Sequence, residues 1–224
     1  MEPFNEQLAR RIDDYIEALF IPHDDALLQG LKAAESADLP SINVSPNEGK
    51  LLQLIARMAG ANRVLEIGTL AGYSTVWLAR GLPPGGRIIT LELEPKHAEV
   101  ARANLERAGV AERVEIRLGR AADTLQKMIA AREGPFDLIF IDADKPSYVE
   151  YLDLALQLAR VGTIILGDNL IRNGRVLDET PPDANARGIR NFNAALASNP
   201  RLDSIILPII RSSIDGLSIS IVKA

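Results

Sequence analysis

Six side chains of this sequence stand where chemistry could be done: Glu66, Glu92, Asp142, Lys145, Asp168 and Asn169. Each acid falls at or beside the end of a short apolar run. The runs are Val64-Leu-Glu-Ile67, Ile88-Ile-Thr-Leu-Glu92, Phe136-Asp-Leu-Ile-Phe-Ile-Asp-Ala-Asp-Lys145 and Thr163-Ile-Ile-Leu-Gly-Asp-Asn169. Runs of this kind suit strands covered on both faces of a parallel sheet, and acids seldom sit in them without a partner. In open α/β sheets ligands bind outside the carboxyl ends of the strands. Acids recurring in phase on strand ends therefore mark one functional edge.

Asp142, Asp168 and Asn169 offer three hard oxygen donors, which favour magnesium, manganese or calcium over zinc. The two histidines, His23 and His97, are far apart in sequence and there is no cysteine, so neither a zinc site nor a hydrolase triad finds support. Asp168-Asn169 can also be read as a plain turn after a strand. Lys145 precedes Pro146, which keeps it out of the following helix and at the edge beside Asp142. An ordinary lysine, with a pKa near 10.4, is a free base only about once in two thousand at neutral pH. It can act as a general base only as a unit with a nearby cation; otherwise it simply pairs with Asp142 or Asp144.

The first turn, Leu65-Glu-Ile-Gly-Thr-Leu-Ala-Gly-Tyr-Ser74, spaces its glycines differently from the G-x-G-x-x-G of dinucleotide binders. A ligand without phosphate does not need the third glycine. Glu66, beneath that turn, would repel phosphate and attract a cationic amino-acid group. Glu92, at the end of the second strand, can accept the hydroxyls of a ribose. Adenosine joined to a positively charged amino acid is S-adenosylmethionine.

The elements that must position these groups follow from periodicity. Amphipathic spacing predicts helices over 5–20, 24–36 and 47–58, the last two separated by an extended link in which Pro40 and Pro46 forbid helix. Strands are expected near 63–67, 87–92, 113–118, 136–142 and 162–168, with helices near 73–81, 95–108, 121–132 and 146–159 between them, the signature of βαβ units. Gly60, Gly109 and Gly162 are read as helix terminators. The stretches 203–210 and 216–222 are strands too close in sequence to be parallel. The expected fold is α/β, a Rossmann-like doubly wound, mostly parallel seven-stranded sheet with an antiparallel C-terminal strand, helices on both faces and added N-terminal helices.

One domain over 1–224 is expected, with 1–45 a helical extension and 46–224 the ligand-binding core, because no linker composition divides the chain. With 25 basic and 30 acidic residues the net charge is -5, which gives no global footprint for a nucleic-acid backbone. Arg172, Arg175, Arg187 and Arg190 form a local basic candidate, with a solvated loop as the plainer reading. The start carries no basic-then-apolar leader and no long apolar run follows. A cytoplasmic protein with a small-molecule partner and no membrane association is expected.

The three motifs together, 65–74, 136–145 and Gly167-Asp-Asn169, resemble the cation-dependent class I O-methyltransferases, the group of the catechol and caffeoyl-coenzyme A enzymes. The resemblance runs from about Val44 to the C-terminus and includes Ser45-Pro-Asn-Glu-Gly49, Ala108-Gly-Val110 and Asp215-Gly216. It implies methyl transfer from S-adenosylmethionine to one oxygen of a vicinal dihydroxy-aromatic. By that resemblance Val44, Glu66, Gly68, Thr69, Ser74, Glu92, Ala121 and Asp142 contact the cofactor. Asp142, Asp168 and Asn169 hold the divalent cation, magnesium first and manganese or calcium as alternatives, and Lys145 deprotonates the hydroxyl with Asp142 beside it. A homodimer is also implied. Arg160-Val-Gly-Thr163 departs from the usual Gly-Gly pair, and the scarcity of aromatic residues leaves the acceptor pocket undefined. Two rivals stay open: a tRNA hydroxyuridine O-methyltransferase using the arginines at 172–190, and, disfavoured by the missing glycine, an NAD-dependent oxidoreductase.

Overall fold

The structure is a computed structural model that describes residues 5–211 and 213–224. The reading of residues 1–4 as part of a start without a leader lies outside the described residues.

Three helices come first: α1 (Glu6–Phe20), α2 (Asp25–Ser36) and α3 (Pro46–Met58). Their starts are set by side-chain caps, Asn5 on Leu8 N, Asp24 on Leu27 N, and a full capping box between Ser45 and Glu48 with Pro46 in the first turn. Asn47 Nδ2 donates to Asp13 Oδ1 at 2.5 Å and ties α1 to α3.

From Arg63 the chain alternates. The strands are β1 (Arg63–Ile67), β2 (Arg87–Glu92), β3 (Val114–Leu118), β4 (Phe136–Ile141) and β5 (Ala159–Gly167). Between and after them run α4 (Tyr73–Gly81), α5 (Pro95–Arg107), α6 (Ala121–Ala130), α7 (Tyr148–Gln157) and α8 (Ala184–Ser198), and the strands β6 (Leu202–Ile210) and β7 (Ile214–Val222) close the fold. The sheet order is β3-β2-β1-β4-β5-β7-β6. β1 through β5 pair in parallel, while β7 runs antiparallel to both β5 and β6. The expected mixed seven-stranded sheet with a reversed C-terminal strand and helices on both sides is thus what the chain forms.

Side-chain alternation sends β1 residues to opposite faces. Leu65 and Ile67 pack with α6, α7 and α8, and Val64 packs with α3 and α4. Glu66 shares the Val64 face and so points at α4. Chain order reverses between β1 and β4, and at such a switch point the following loops part and leave a crevice.

Two expectations need correction. The fifth strand starts at Ala159 rather than 162, straight from the end of α7. Gly162, at φ 87°, is therefore no helix terminator. It lies in an irregularity where Phe136 pairs with Ala159 but Leu138 with Ile164. Thr163 Oγ1 bridges that gap, accepting from Arg160 N at 2.9 Å and donating to Phe136 O at 2.6 Å. The second is α8, absent from the sequence reading although Asp183 caps it and Ala186, Ile189, Phe192 and Leu196 form its buried stripe.

Candidate active site

At the carboxyl ends of β1 and β4 opens a cleft of about 690 Å3, within the usual range for a small-molecule site. One half is built by the turn after β1. Gly68 (φ 100°) comes so close to the chain after β4 that a Cβ there would lie 2.0 Å from Asp142 O. This residue must be glycine for β1 and β4 to end side by side. Gly72 (φ 78°) then starts α4 with no side-chain cap, and Thr69 and Ser74 face the cleft. Val44 closes this end from the segment before α3, and Ala121, at the first turn of α6, lines the same cavity.

Glu92 is 7% exposed and lines the cleft. Its Oε2 accepts from Leu70 N at 2.7 Å and Thr69 N at 3.3 Å, and its Oε1 from Leu93 N and Glu94 N at 2.9 Å each. The carboxylate therefore holds the glycine turn in place while lining the cleft, its four acceptor sites matched by these four backbone N–H groups. His97 lies beside it with Nδ1 3.3 Å from Glu92 Oε1 and also lines the cavity.

Glu66 is not on the wall. It is fully buried below the turn, where Ser74 Oγ donates to Oε1 at 2.7 Å and Thr75 Oγ1 and Thr90 Oγ1 donate to Oε2 at 2.5 and 2.7 Å. The residue expected to contact the ligand thus lies beneath Ser74, which lines the cleft. With its proton committed to Glu66, the Ser74 oxygen can present lone pairs to the cleft. Burial pushes the Glu66 carboxyl up from 4.5 to about 7, against the hydroxyl hydrogen bonds that lower it. Between pH 4.5 and 7 the folded chain keeps a proton there that the unfolded chain has lost. Stability of the ligand-free protein is thus expected to fall as pH rises through that window, by about 3 kcal/mol in total. Denaturant midpoints at pH 5 and pH 8 should differ for the wild type and much less for Glu66→Gln; equal slopes in both proteins would count against the buried acid.

The other half of the cleft carries Asp142, Lys145 and Asn169. Lys145 begins a 3-10 turn of three residues before α7, and its side chain is 11% exposed. Nζ donates to Asp142 Oδ1 at 2.7 Å and to the Tyr148 hydroxyl at 2.8 Å, and it lies 4.8 Å from the Tyr148 ring centroid. Tyr148 is fully buried, and its hydroxyl donates a hydrogen bond shared between Ile141 O and Asp168 O at 3.1 and 3.0 Å. This tyrosine fixes the lysine against the ends of β4 and β5. Only the one-turn spacing from Lys145 hinted at it.

Asp168 is 4% exposed, and its Oδ1 is buried with no hydrogen-bond partner. Burial first, then the Asp142 and Glu48 carboxylates, pushes it well above the usual carboxylate range, while Lys145 pulls the other way. Asn169, at φ 61°, donates Nδ2 to Asp215 Oδ2 at 3.4 Å, which leaves its carbonyl oxygen uncommitted. Asp215 Oδ1 also accepts from Ile171 N and Arg172 N at 3.0 and 3.1 Å, so the loop after β5 is clamped to the β6–β7 hairpin. Among the described residues no group of three or more His, Cys, Asp or Glu is gathered for a metal; the set expected from sequence has two carboxylates and one amide.

The arginines at 172–190 form no single basic patch. Arg175 pairs with Asp183 at 3.2 Å, and Arg190 donates to Val176 O and Asp178 O. Of these only Arg172 lines the cleft.

A mixed sheet with β7 reversed and a cleft at the β1/β4 switch point defines the Rossmann-like methyltransferase class of folds. The model of the O-methyltransferase family matches residues 20–220. A catechol O-methyltransferase of Niastella koreensis is 50% identical over 98% of this chain and 100% of its own. One from Mycobacterium tuberculosis is 47% identical over 95% of each. The crystal structure of an O-methyltransferase from Bacillus cereus in complex with SAH superposes with a TM-score of 0.95 at 45% identity, covering 98% of this chain and 100% of the other. This chain belongs to the O-methyltransferase family.

Proposed function

We propose that the enzyme moves the methyl group of S-adenosylmethionine to one hydroxyl of a small vicinal dihydroxy-aromatic, with a divalent cation bound at Asp142, Asp168 and Asn169. One observation carries this reading: a cofactor-sized recess at Gly68, Ser74 and Glu92 and the pair Asp142–Lys145 line a single cleft. Relatives named catechol O-methyltransferases, and a neighbour holding SAH, support the donor and acceptor classes. The chain would work as one domain over 1–224, in the cytoplasm; no helix among the described residues is long and apolar enough to cross a membrane.

In this reading Val44, Gly68, Thr69, Ser74 and Asp142 hold the amino-acid end of the cofactor, with Glu66 acting through Ser74. Glu92 takes the ribose and Ala121 borders the adenine. The orphaned Asp168 oxygen and the free Asn169 carbonyl are the donors a hard cation needs, with magnesium first and manganese or calcium also suited. When bound, such a cation supplies Lewis acidity that favours loss of a proton from a chelated hydroxyl. Lys145 Nζ takes that proton. The oxygen then attacks the methyl carbon in line, and the C–S bond breaks with its electrons passing to sulfur, which leaves a neutral thioether. Holding both reactants in line supplies much of the acceleration.

Labelled cofactor, a panel of catechols and tRNA, and magnesium or chelator test the reading together. Label should enter catechols only when metal is present. Full activity in chelator would remove the metal assignment, and label in tRNA alone, with strong salt dependence, would favour the rival substrate.

We also propose a homodimer. Leu8, Ile12, Tyr15, Leu19 and Phe20 are all about half exposed or more on α1, a contiguous apolar face of the kind that marks an interface. Light scattering should give twice the chain mass, and Ile12→Glu with Tyr15→Glu should halve it; a wild-type monomer at micromolar concentration would sink the idea.

A further inference from the structure

Arg172 has no role in methyl transfer as derived above, yet it lines the cleft together with Asn169, Lys145 and Asn185 of α8. Its main chain is fixed, at φ 51° with N–H on Asp215. Its guanidinium lacks comparable anchoring. Nε is buried with no hydrogen-bond partner, and no carboxylate among the described residues is in ion-pairing reach of it. The acids nearby are engaged otherwise. Asp215 spends its oxygens on Ile171 N, Arg172 N, Gly216 N and Asn169. Asp183 caps α8 and pairs with Arg175, feeling Arg172 only through space.

A guanidinium N–H out of water without an acceptor is costly, and the cost is recovered only when an acceptor arrives. The planar fork of arginine matches a carboxylate. We infer that Arg172 is a specificity-determining residue that binds a carboxylate carried by the aromatic acceptor, so that this enzyme prefers dihydroxyaromatic acids to neutral or amine-bearing catechols. The inference rests on the methyl-transfer reading above. The one other carboxylate in such a ternary complex belongs to the amino-acid end of the cofactor, and the test separates the two.

The acceptors are 3,4-dihydroxybenzoate, its methyl ester and 3,4-dihydroxyphenethylamine, each with S-adenosylmethionine and magnesium. The enzymes are wild type, Arg172→Met and Arg172→Glu. The readout is the ratio of kcat/KM for acid over ester, because the carboxylate's effect on the ring hydroxyls is the same in every enzyme and cancels. Loss of a charge-assisted hydrogen bond lowers this ratio by about ten- to a hundred-fold in Arg172→Met, mainly through KM for the acid. In Arg172→Glu the ratio of amine over ester rises. Unchanged ratios in both variants overturn the inference, as does a raised KM for S-adenosylmethionine with equal losses on all acceptors, which assigns the carboxylate to the cofactor. If the wild type methylates all three acceptors equally well, only the inference falls; if it methylates none, the reaction assigned above falls with it.

Discussion

Lys145→Ala is expected to lower kcat by about a hundred- to ten-thousand-fold, the usual contribution of a positioned general base, while the dissociation constant for S-adenosylmethionine stays within about twofold. The split follows from geometry. Nζ is committed to Asp142 Oδ1 and the Tyr148 hydroxyl, so of the groups assigned to the cofactor its removal touches Asp142 alone and leaves the glycine turn and Glu92 as they are. Lys145→Arg sharpens the test. Arginine keeps the positive charge but cannot give up its proton in a protein, so it should fail to rescue kcat if lysine is a base and rescue it substantially if lysine is only an electrostatic partner. Single-turnover rates alongside calorimetric cofactor binding decide between these outcomes. Turnover by Lys145→Arg near that of the wild type would end the base assignment.

Asp168→Asn should move two measurements in opposite directions. The substitution keeps the side chain's shape and removes a buried carboxyl whose Oδ1 has no partner and whose charge stands against Asp142 and Glu48. Relief of about 1–2 kcal/mol of uncompensated burial should raise the melting temperature of metal-free protein by about 2–8 °C. Affinity for magnesium or manganese, measured by calorimetry, should fall by about a hundred-fold or more, beyond what loss of a group behind a ligand costs, and turnover should fall with it. A less stable variant that still bound the ion would show Asp168 to be a structural acid.

Most of the scaffold was legible because the forces behind it are local. The runs 63–67 and 87–92 are strands with those bounds, since Val, Leu and Ile between polar punctuation leave few alternatives. The fifth strand was misjudged because Gly162 and Thr163 sit in an irregularity created by pairing with Phe136, a partner distant in sequence. Of the acids that end strands, Glu92 and Asp142 line the cleft, whereas Glu66, on the same face of the sheet, lies one residue deeper in its strand, before Ile67, where Ser74, Thr75 and Thr90 enclose it. Tyr148 and Asp215 were not legible as site residues. Their roles are to join the ends of β4, β5 and the last hairpin, and beyond the one-turn spacing of Tyr148 from Lys145 the sequence carries no record of such long-range meetings.

The position of β7 between β5 and β6 has a bearing on how the enzyme is made. During synthesis β5 is complete while the place beside it stays empty, because β6, the next strand off the ribosome, pairs only with β7. An open strand edge is a template for wrong partners, and here it persists until the strand that also carries the Asp215 clamp has been added. The half that contains the glycine turn and Glu92 can settle earlier, from contacts already made. Ribosome-stalled chains ending before residue 214 should therefore behave as sticky, donor-competent but acceptor-blind intermediates, and a chaperone acting on this protein would have its work concentrated in that interval.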